Sequence, residues 1–96
     1  MTIHIAIFKW KEGAKKSEVN KIVNDLRGLE SQLGGEIKIY CGENFSKQAK
    51  GFTHAVVVIA KNKKGLDAYR NHPIHKAIAT RVEVIEEDGI GMDFES

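Results

Sequence analysis

The sequence predicts an α+β fold, with strands and helices in the order β-α-β-β-α-β, as one domain over residues 1–96. Short runs rich in β-branched and aromatic residues alternate with stretches whose apolar residues recur every three or four positions. In addition, the first and third strand segments are apolar on both faces. This order is the split βαβ, or ferredoxin-like, arrangement, in which both crossover helices cover one face of a four-stranded antiparallel sheet.

The first strand is predicted over residues 3–10. Ile3, Ile5 and Ile7 point to one face, whereas Phe8 and Trp10 point to the other. An antiparallel strand with one solvated face alternates apolar with polar residues, so both faces of this sheet are expected to be covered.

The first helix is predicted to begin near Ser17, whose hydroxyl suits an N-cap, and to end at Gly34-Gly35. The apolar residues between these limits follow at spacings of three and four, which places them on one stripe. They are Val19, Ile22, Val23, Leu26, Leu29 and Leu33.

Two further strands are predicted on either side of a polar loop at residues 44–50. Residues 36–43 alternate, with Ile37, Ile39 and Cys41 on one face, as in a half-buried strand. Residues 51–60 form the strongest strand of the chain and are apolar on both faces.

A second helical region begins at Asn62, breaks at Pro73 and restarts there. Proline disfavours the helical conformation in the residue before it and suits a first turn. Residues 86–89 are predicted to close this helix, and residues 90–94 alternate in a last short strand.

The face of the sheet that the helices leave open is predicted to be apolar, because parity places six side chains of the two central strands there. Monomers rarely expose a patch of this kind, so a second copy packing sheet to sheet is the simplest cover. The sequence therefore predicts a homodimer through Ile3, Ile5, Ile7, Ala55, Val57 and Ile59.

Composition argues against several classes of protein. The 15 basic and 13 acidic side chains are scattered, and the densest basic cluster, Lys61 to Lys64, has no interleaved aromatic residue, so nucleic-acid binding is not expected. No apolar run approaches the length of a membrane span, and the start of the chain does not read as a secretion signal.

The single cysteine, Cys41, permits no internal disulfide and is expected in the core. A cytoplasmic location is the expectation.

A polar group is predicted within the layer between sheet and helices. His4 and His54 lie on the helix-facing side of the two central strands, and His75 falls on the apolar stripe of the last helix. Tyr69 converges on the same space, and Phe8 and Trp10 share the face of His4. An apolar pocket with a few convergent polar groups is the usual form of a small-molecule site, here for a small apolar or aromatic ligand. The alternative is that these side chains only satisfy one another's hydrogen bonds.

A metal site is the rival interpretation of the same histidines. The spacing His72-x-x-His75 resembles a zinc pair, but the break at Pro73 places His72 badly, and no carboxylate or thiol completes the pattern. No glycine-rich phosphate loop, Ser-His-Asp order or paired-carboxylate motif is present. The sequence therefore predicts no metal and no cofactor.

Four segments resemble the stress-responsive A/B barrel domain family, the dimeric α+β barrels, over essentially the whole chain. These are residues 4–9 (HIAIFK), 51–55 (GFTHA), 68–75 (AYRNHPIH) and the closing Asp93-Phe94. The resemblance implies a ferredoxin-like fold and a dimer whose sheets form a barrel.

One member of that family, a plant polyketide cyclase, is similar at the same positions. This resemblance implies that His75 acts as a general base and Tyr69 as the group that orients or stabilises a substrate oxygen, with His4 and His54 lining the pocket. Three hypotheses stand together: a dimeric binding protein with a stress-related role, a cyclase-like or isomerase enzyme, and a structural protein without a ligand.

Overall fold

The computed structural model describes residues 1–34 and 37–96. Its strands are β1 (Thr2–Trp10), β2 (Ile37–Glu43), β3 (His54–Ala60) and β4 (Glu86–Glu95). Its helices are α1 (Lys16–Gln32), α2 (Lys63–Asn71) and α3 (Pro73–Ile85). The strands form one antiparallel sheet in the order β2-β3-β1-β4, with β1 and β3 in the centre. The predicted α+β, ferredoxin-like fold class is confirmed.

The helices cover one face of the sheet through two adjoining apolar clusters. In one cluster, Leu29 of α1 and Leu66 of α2 pack on side chains of β2 and β3, among them the fully buried Val58. In the other, Val19, Ile22 and Leu26 of α1 pack on Ile78, Val82 and Ile85 of α3. Phe8 of β1 packs against both clusters, so it lies where the two meet.

The ends of α1 differ in part from the prediction. The capping role predicted for Ser17 is wrong, because α1 begins at Lys16 and its N-cap, Lys15, makes no side-chain capping bond. The predicted stop is confirmed at Gly34, whose φ of +79° is a left-handed conformation that glycine adopts without steric cost. Gly35 lies outside the described residues.

The bounds of β3 and β4 also differ. The predicted strand from residue 51 begins at His54, because Lys50 and Gly51 have φ of 52° and 86°, values that a strand does not use. Residues 86–89 do not close α3 but belong to β4, which runs for 10 residues. Their side chains are poor strand formers, yet β1 pairs with them and Trp10 lies opposite Glu86.

The helix break at Pro73 is confirmed. The Asn62 side chain accepts a hydrogen bond from the backbone N–H of Gly65 at 3.0 Å and caps α2. His72 separates α2 from α3, and its Nδ1 accepts from the backbone N–H of Ile74 at 3.1 Å.

Within residues 1–34 and 37–96, no helix covers the other face of the sheet. The strand register makes the apolar part of this face larger than the sequence alone indicated. Paired residues of antiparallel strands share a face, so β4 adds Ile90, Met92 and Phe94 beside the isoleucines of β1. The exposed fractions of these three β4 side chains are 53%, 55% and 40%. This open face, defined by the residues Ile3, Ile5, Ile7, Ala55, Val57, Ile59, Ile90, Met92 and Phe94, is apolar across three strands.

Candidate functional site

A cavity of about 260 Å³ lies between the sheet and the helices. Its walls are mainly apolar and come from β1, β3, α1 and α3, with Phe8, Val56 and Ile78 among them. Three of the predicted polar side chains line it: His4, Tyr69 and His75. An apolar cavity with a few convergent polar groups is the form that small-molecule sites usually take.

Tyr69 lies in the last turn of α2 and is 1% exposed. The Tyr69 hydroxyl makes no hydrogen bond within the described residues. In the same residues every fully buried polar side-chain atom has a hydrogen-bond partner, so this hydroxyl is not fully buried. The hydroxyl is therefore not sealed in the core but reaches the open volume of the cavity. Burial raises the pKa of this phenol well above its ordinary value of 10.0, so the group is neutral and able to donate.

His75 lies against Tyr69, with the two ring centroids 4.4 Å apart. Its Nδ1 is 3.2 Å from the backbone carbonyl oxygen of Arg70, and a carbonyl only accepts, so Nδ1 carries the proton. In the neutral ring Nε2 is then the basic nitrogen. Burial lowers the pKa of His75 from 6.5, which keeps the ring neutral and able to accept a proton at neutral pH.

His4 is oriented by an ion pair at the edge of the sheet. Its Nδ1 is 2.7 Å from Asp93 Oδ1, and Arg70 Nη2 donates to Asp93 Oδ2 at 2.6 Å. Because Asp93 accepts from both neighbours, its pKa lies below the ordinary 3.8, with the Arg70 hydrogen bond as the larger cause. The 3.1 Å approach of Arg70 Nη2 to His4 Nδ1 is then a contact between two donors.

His54 and Trp10 do not join this group, so the expectation that all the predicted polar residues converge is wrong. His54 lies at the start of β3, where Trp10 Nε1 donates to its Nδ1 at 3.0 Å. Both line a separate cavity of about 340 Å³, together with Thr53 and Lys16. Parity placed His54 on the correct face, but its position along the strand takes it to the other end of the layer. Phe8 connects the two regions, since it lines the first cavity and stacks on Trp10 with the ring centroids 5.3 Å apart.

The two histidines of the spacing that resembles a zinc pair, His72 and His75, make other contacts. The Nδ1 of His72 caps α3, and that of His75 donates to a backbone carbonyl. Across residues 1–34 and 37–96 no three histidine, cysteine or carboxylate side chains are grouped in a way that would hold a metal ion.

Sequence reasoning missed four charged residues near the cavity. Arg70 and Asp93 hold His4, and the carboxylates of Glu83 and Glu86 line the cavity itself. The pairing of β1 with β4 places Asp93 directly opposite His4, so a register prediction would have found that pair. The sequence prediction missed Glu86 because it assigned this residue to the end of a helix.

In the part of the chain that the structure describes, no helix is both long enough and apolar enough to cross a membrane.

Comparisons with known proteins identify the family of the chain. The family model for the stress-responsive A/B barrel domain matches residues 3–96. A stress-response A/B barrel domain-containing protein of Arabidopsis thaliana is 29% identical over 94 residues, which are 95% of this chain and 82% of that protein.

Solved structures share the fold. A dimeric ferredoxin-like protein of unknown function from Thermobifida fusca superposes with a TM-score of 0.84 at 25% identity, covering 99% of this chain and 90% of that one. A hydroxynitrile lyase from Passiflora edulis superposes with a TM-score of 0.81 at 17% identity, covering 97% and 90% of the two chains, a likeness of fold alone. The family model, the Arabidopsis relative and the sheet order together show that this chain belongs to the stress-responsive A/B barrel domain family.

Proposed function

We propose that this protein is a homodimer that binds a small apolar or aromatic molecule in the cavity of each protomer. The observation that carries the binding role is the Tyr69 hydroxyl: it belongs to a side chain that is 1% exposed, yet it has no partner in the described residues and faces the cavity. Because the protein leaves this donor unbonded within the described residues, it is available to a molecule in the cavity. A ligand with a hydrogen-bond acceptor supplies that bond.

The open face supports the homodimer. Three adjacent strands present apolar side chains there, and Ile90, Met92 and Phe94 are each at least 40% exposed. A patch of this kind is rare on monomers and suits a two-fold, sheet-to-sheet interface. The Thermobifida fusca structure of the same fold is described as dimeric, which agrees with this proposal.

Native mass spectrometry of the freshly purified protein, followed by denaturing extraction, tests both parts. The expected result is a dimer that carries a small organic molecule. Repeating the measurement on Tyr69→Phe then locates the ligand, because this change removes one oxygen that has no protein partner and so leaves stability almost unchanged. The matched control is Tyr40→Phe, since Tyr40 is 60% exposed and lies outside the cavity. Equal ligand occupancy in both variants would exclude Tyr69 as the contact.

An enzyme is the second candidate, favoured by the pairing of a half-buried, neutral imidazole with a neutral phenol. In this mechanism His75 Nε2 removes a proton from a carbonyl compound, and Tyr69 donates a hydrogen bond to the oxygen on which negative charge develops. His75→Gln and Tyr69→Phe would then abolish turnover of an identified substrate while substrate still binds. If the protein only binds, the same variants shift affinity and there is no reaction to lose.

The third hypothesis, a purely structural group, makes the opposite prediction for stability. If the side chains only complete the core, His75→Ala lowers the free energy of unfolding and no ligand is recovered from the wild type. Denaturant unfolding of His75→Ala, measured beside the extraction experiment, separates this hypothesis from the other two.

We further propose that residues 1–96 fold as one domain and that the protein works in the cytoplasm in a stress-related role. All four strands share one sheet, which supports the single domain. The family description supports the stress-related role. Limited proteolysis tests the first statement, and fractionation of cells before and after stress tests the others.

A further inference from the structure

The cavity between the sheet and the helices is long. Each turn of α3 contributes to its lining, from His75 in the first turn to Glu86 just after the last, a distance of about 16 Å along the helix. On β1 the lining runs from His4 to Phe8, about 13 Å along the strand. His4 and His75 lie at the same end, because the ring centroid of Tyr69 is 6.2 Å from that of His4 and 4.4 Å from that of His75.

The two ends of the cavity differ in character. Tyr69 and His75 make one end polar. At the other end Phe8 lies directly opposite Gly89 of β4, and the carboxylate of Glu86 packs on that glycine. The walls between the two ends are mainly apolar. A molecule that fits the cavity therefore has a polar group at one end and an apolar body that extends away from it.

The volume of the cavity is small for this length. A methylene or hydroxyl group is about the size of a water molecule, at about 30 Å³ each, so the cavity of about 260 Å³ holds about nine such groups. An extended chain of that many groups spans about 10 Å between its end atoms, at about 1.2 Å per bond. The radii of the two end atoms add about 3 Å, which gives the length of the cavity. The groups therefore fit in single file, whereas a ring places them side by side and leaves much of the length empty.

The polar end selects the head group of the chain. The Tyr69 hydroxyl is a donor without a partner in the described residues, and His75 Nε2 is an acceptor that likewise makes no hydrogen bond there. A hydroxyl group accepts and donates, so one such group satisfies both side chains. An ammonium group offers Tyr69 no acceptor. A carboxylate would be buried without a counter-charge, because burial lowers the pKa of His75 and favours its neutral ring, and Arg70 is paired with Asp93.

We propose that the cavity takes an unbranched aliphatic alcohol of about eight carbons, with its hydroxyl at Tyr69 and His75 and its chain under α3 toward Phe8. This inference rests on the binding role proposed above and narrows the ligand to a straight chain with an uncharged head. Glu83, which lines the cavity near Glu86, is exposed, so a longer chain reaches solvent at that end.

A series of 1-alkanols from butanol to decanol, titrated into the purified protein, tests the length. The methyl chemical shifts of Val56 and Ile78, which line the cavity, report binding. Affinity is expected to rise about fourfold per methylene group as far as octanol and to level off beyond it. 1-Octanol, 2-phenylethanol and heptanoate have the same number of non-hydrogen atoms, and of these three 1-octanol is expected to bind most tightly.

Two variants locate the chain and its head. Ala79→Leu fills the cavity beneath α3, so the affinity for 1-octanol is expected to fall toward that for 1-butanol. Ala77→Leu is the matched control, because Ala77 is an exposed residue of the same helix and does not line the cavity. Tyr69→Phe removes one hydrogen bond and is expected to weaken every alcohol about fivefold, whatever its length. This second variant tests the head group even if Ala79→Leu does not fold.

Each part of the inference has an outcome that overturns it. Equal affinity for 2-phenylethanol and 1-octanol would refute the straight chain, and equal affinity for heptanoate would refute the uncharged head. An affinity that does not change with chain length, or that still rises at decanol, would refute the length. If native mass spectrometry recovers a molecule of another class, the binding role stands and this inference fails. An empty protein whose cavity resonances no alcohol moves would remove both.

Discussion

Replacing Ile5 with glutamate should separate the proposed dimer into monomers. Ile5 lies at the centre of the open face, directly opposite Val57 of β3 and Met92 of β4. A two-fold interface contains two copies of this side chain, so one substitution acts twice. The helix-facing side of the sheet does not contact this position, so the fold of each protomer should survive.

The size of the effect follows from burial. Burying an isoleucine side chain stabilises by about 1.5–3 kcal/mol, so two copies contribute about 3–6 kcal/mol to association. Ile5 is already partly buried by its neighbours within the protomer, so the lower end applies. At about 1.4 kcal/mol per tenfold, the dissociation constant should rise roughly a hundredfold, before the cost of burying two carboxylates is added.

Sedimentation velocity over a concentration series measures this change, with far-UV circular dichroism to show that the monomer is folded. Val84→Glu is the matched control, because Val84 is a β-branched residue of α3 that is 66% exposed and lies away from the open face. A folded Ile5→Glu protein with an unchanged dissociation constant would refute the assignment of the interface. A wild type that stays monomeric at every concentration would refute the dimer itself.

Four further predictions concern single residues. The pKa of Asp93 is lowered from 3.8, so the contacts of its ionised carboxylate stabilise the fold above that pH and are lost progressively as the pH falls below it. The cost of Asp93→Asn in the free energy of unfolding should therefore be largest at neutral pH, up to about 1 kcal/mol, and should shrink as the pH falls below 3.8, as denaturant titrations will show. Asn62→Ala removes the cap of α2 and should cost about 1 kcal/mol in the same assay. Burial raises the pKa of Cys41 to about 11, so a disulfide reagent at pH 8 should modify the native thiol slowly and the unfolded one fast; equal rates would contradict its burial. The ring of His75 should titrate below pH 6.5 in an NMR experiment, and a value above 6.5 would exclude it as a neutral base.

Most of the fold was predictable because its signals are local. The apolar stripe from Val19 to Leu29 repeats with helical period, and the break at Pro73 follows from the geometry of one ring. The two-sided apolar character of β1 and β3 also indicated correctly that they are the central strands. Where local signals conflicted with pairing, prediction failed: Glu86 is a strand residue because β1 pairs with it, not because of its own preference.

The candidate site was predictable in part. Strand parity and helix periodicity placed His4, Tyr69 and His75 on facing surfaces, and the structure brings them to one cavity. Parity gives the face of a strand but not the distance along it, which is why His54 lies instead with Trp10. The Arg70 and Asp93 contacts that orient His4 join residues far apart in sequence and depend on the register of β4.

The sequence by itself determined the order of the elements, the faces they bury and the apolar patch that calls for a partner, because each of these follows from period and residue type over a few positions. The tertiary structure alone decided which polar groups share the cavity and which acids stand at its rim. Those contacts depend on register and on where each strand begins. The register and the start of each strand are fixed only by the pairing of β1 with both β3 and β4.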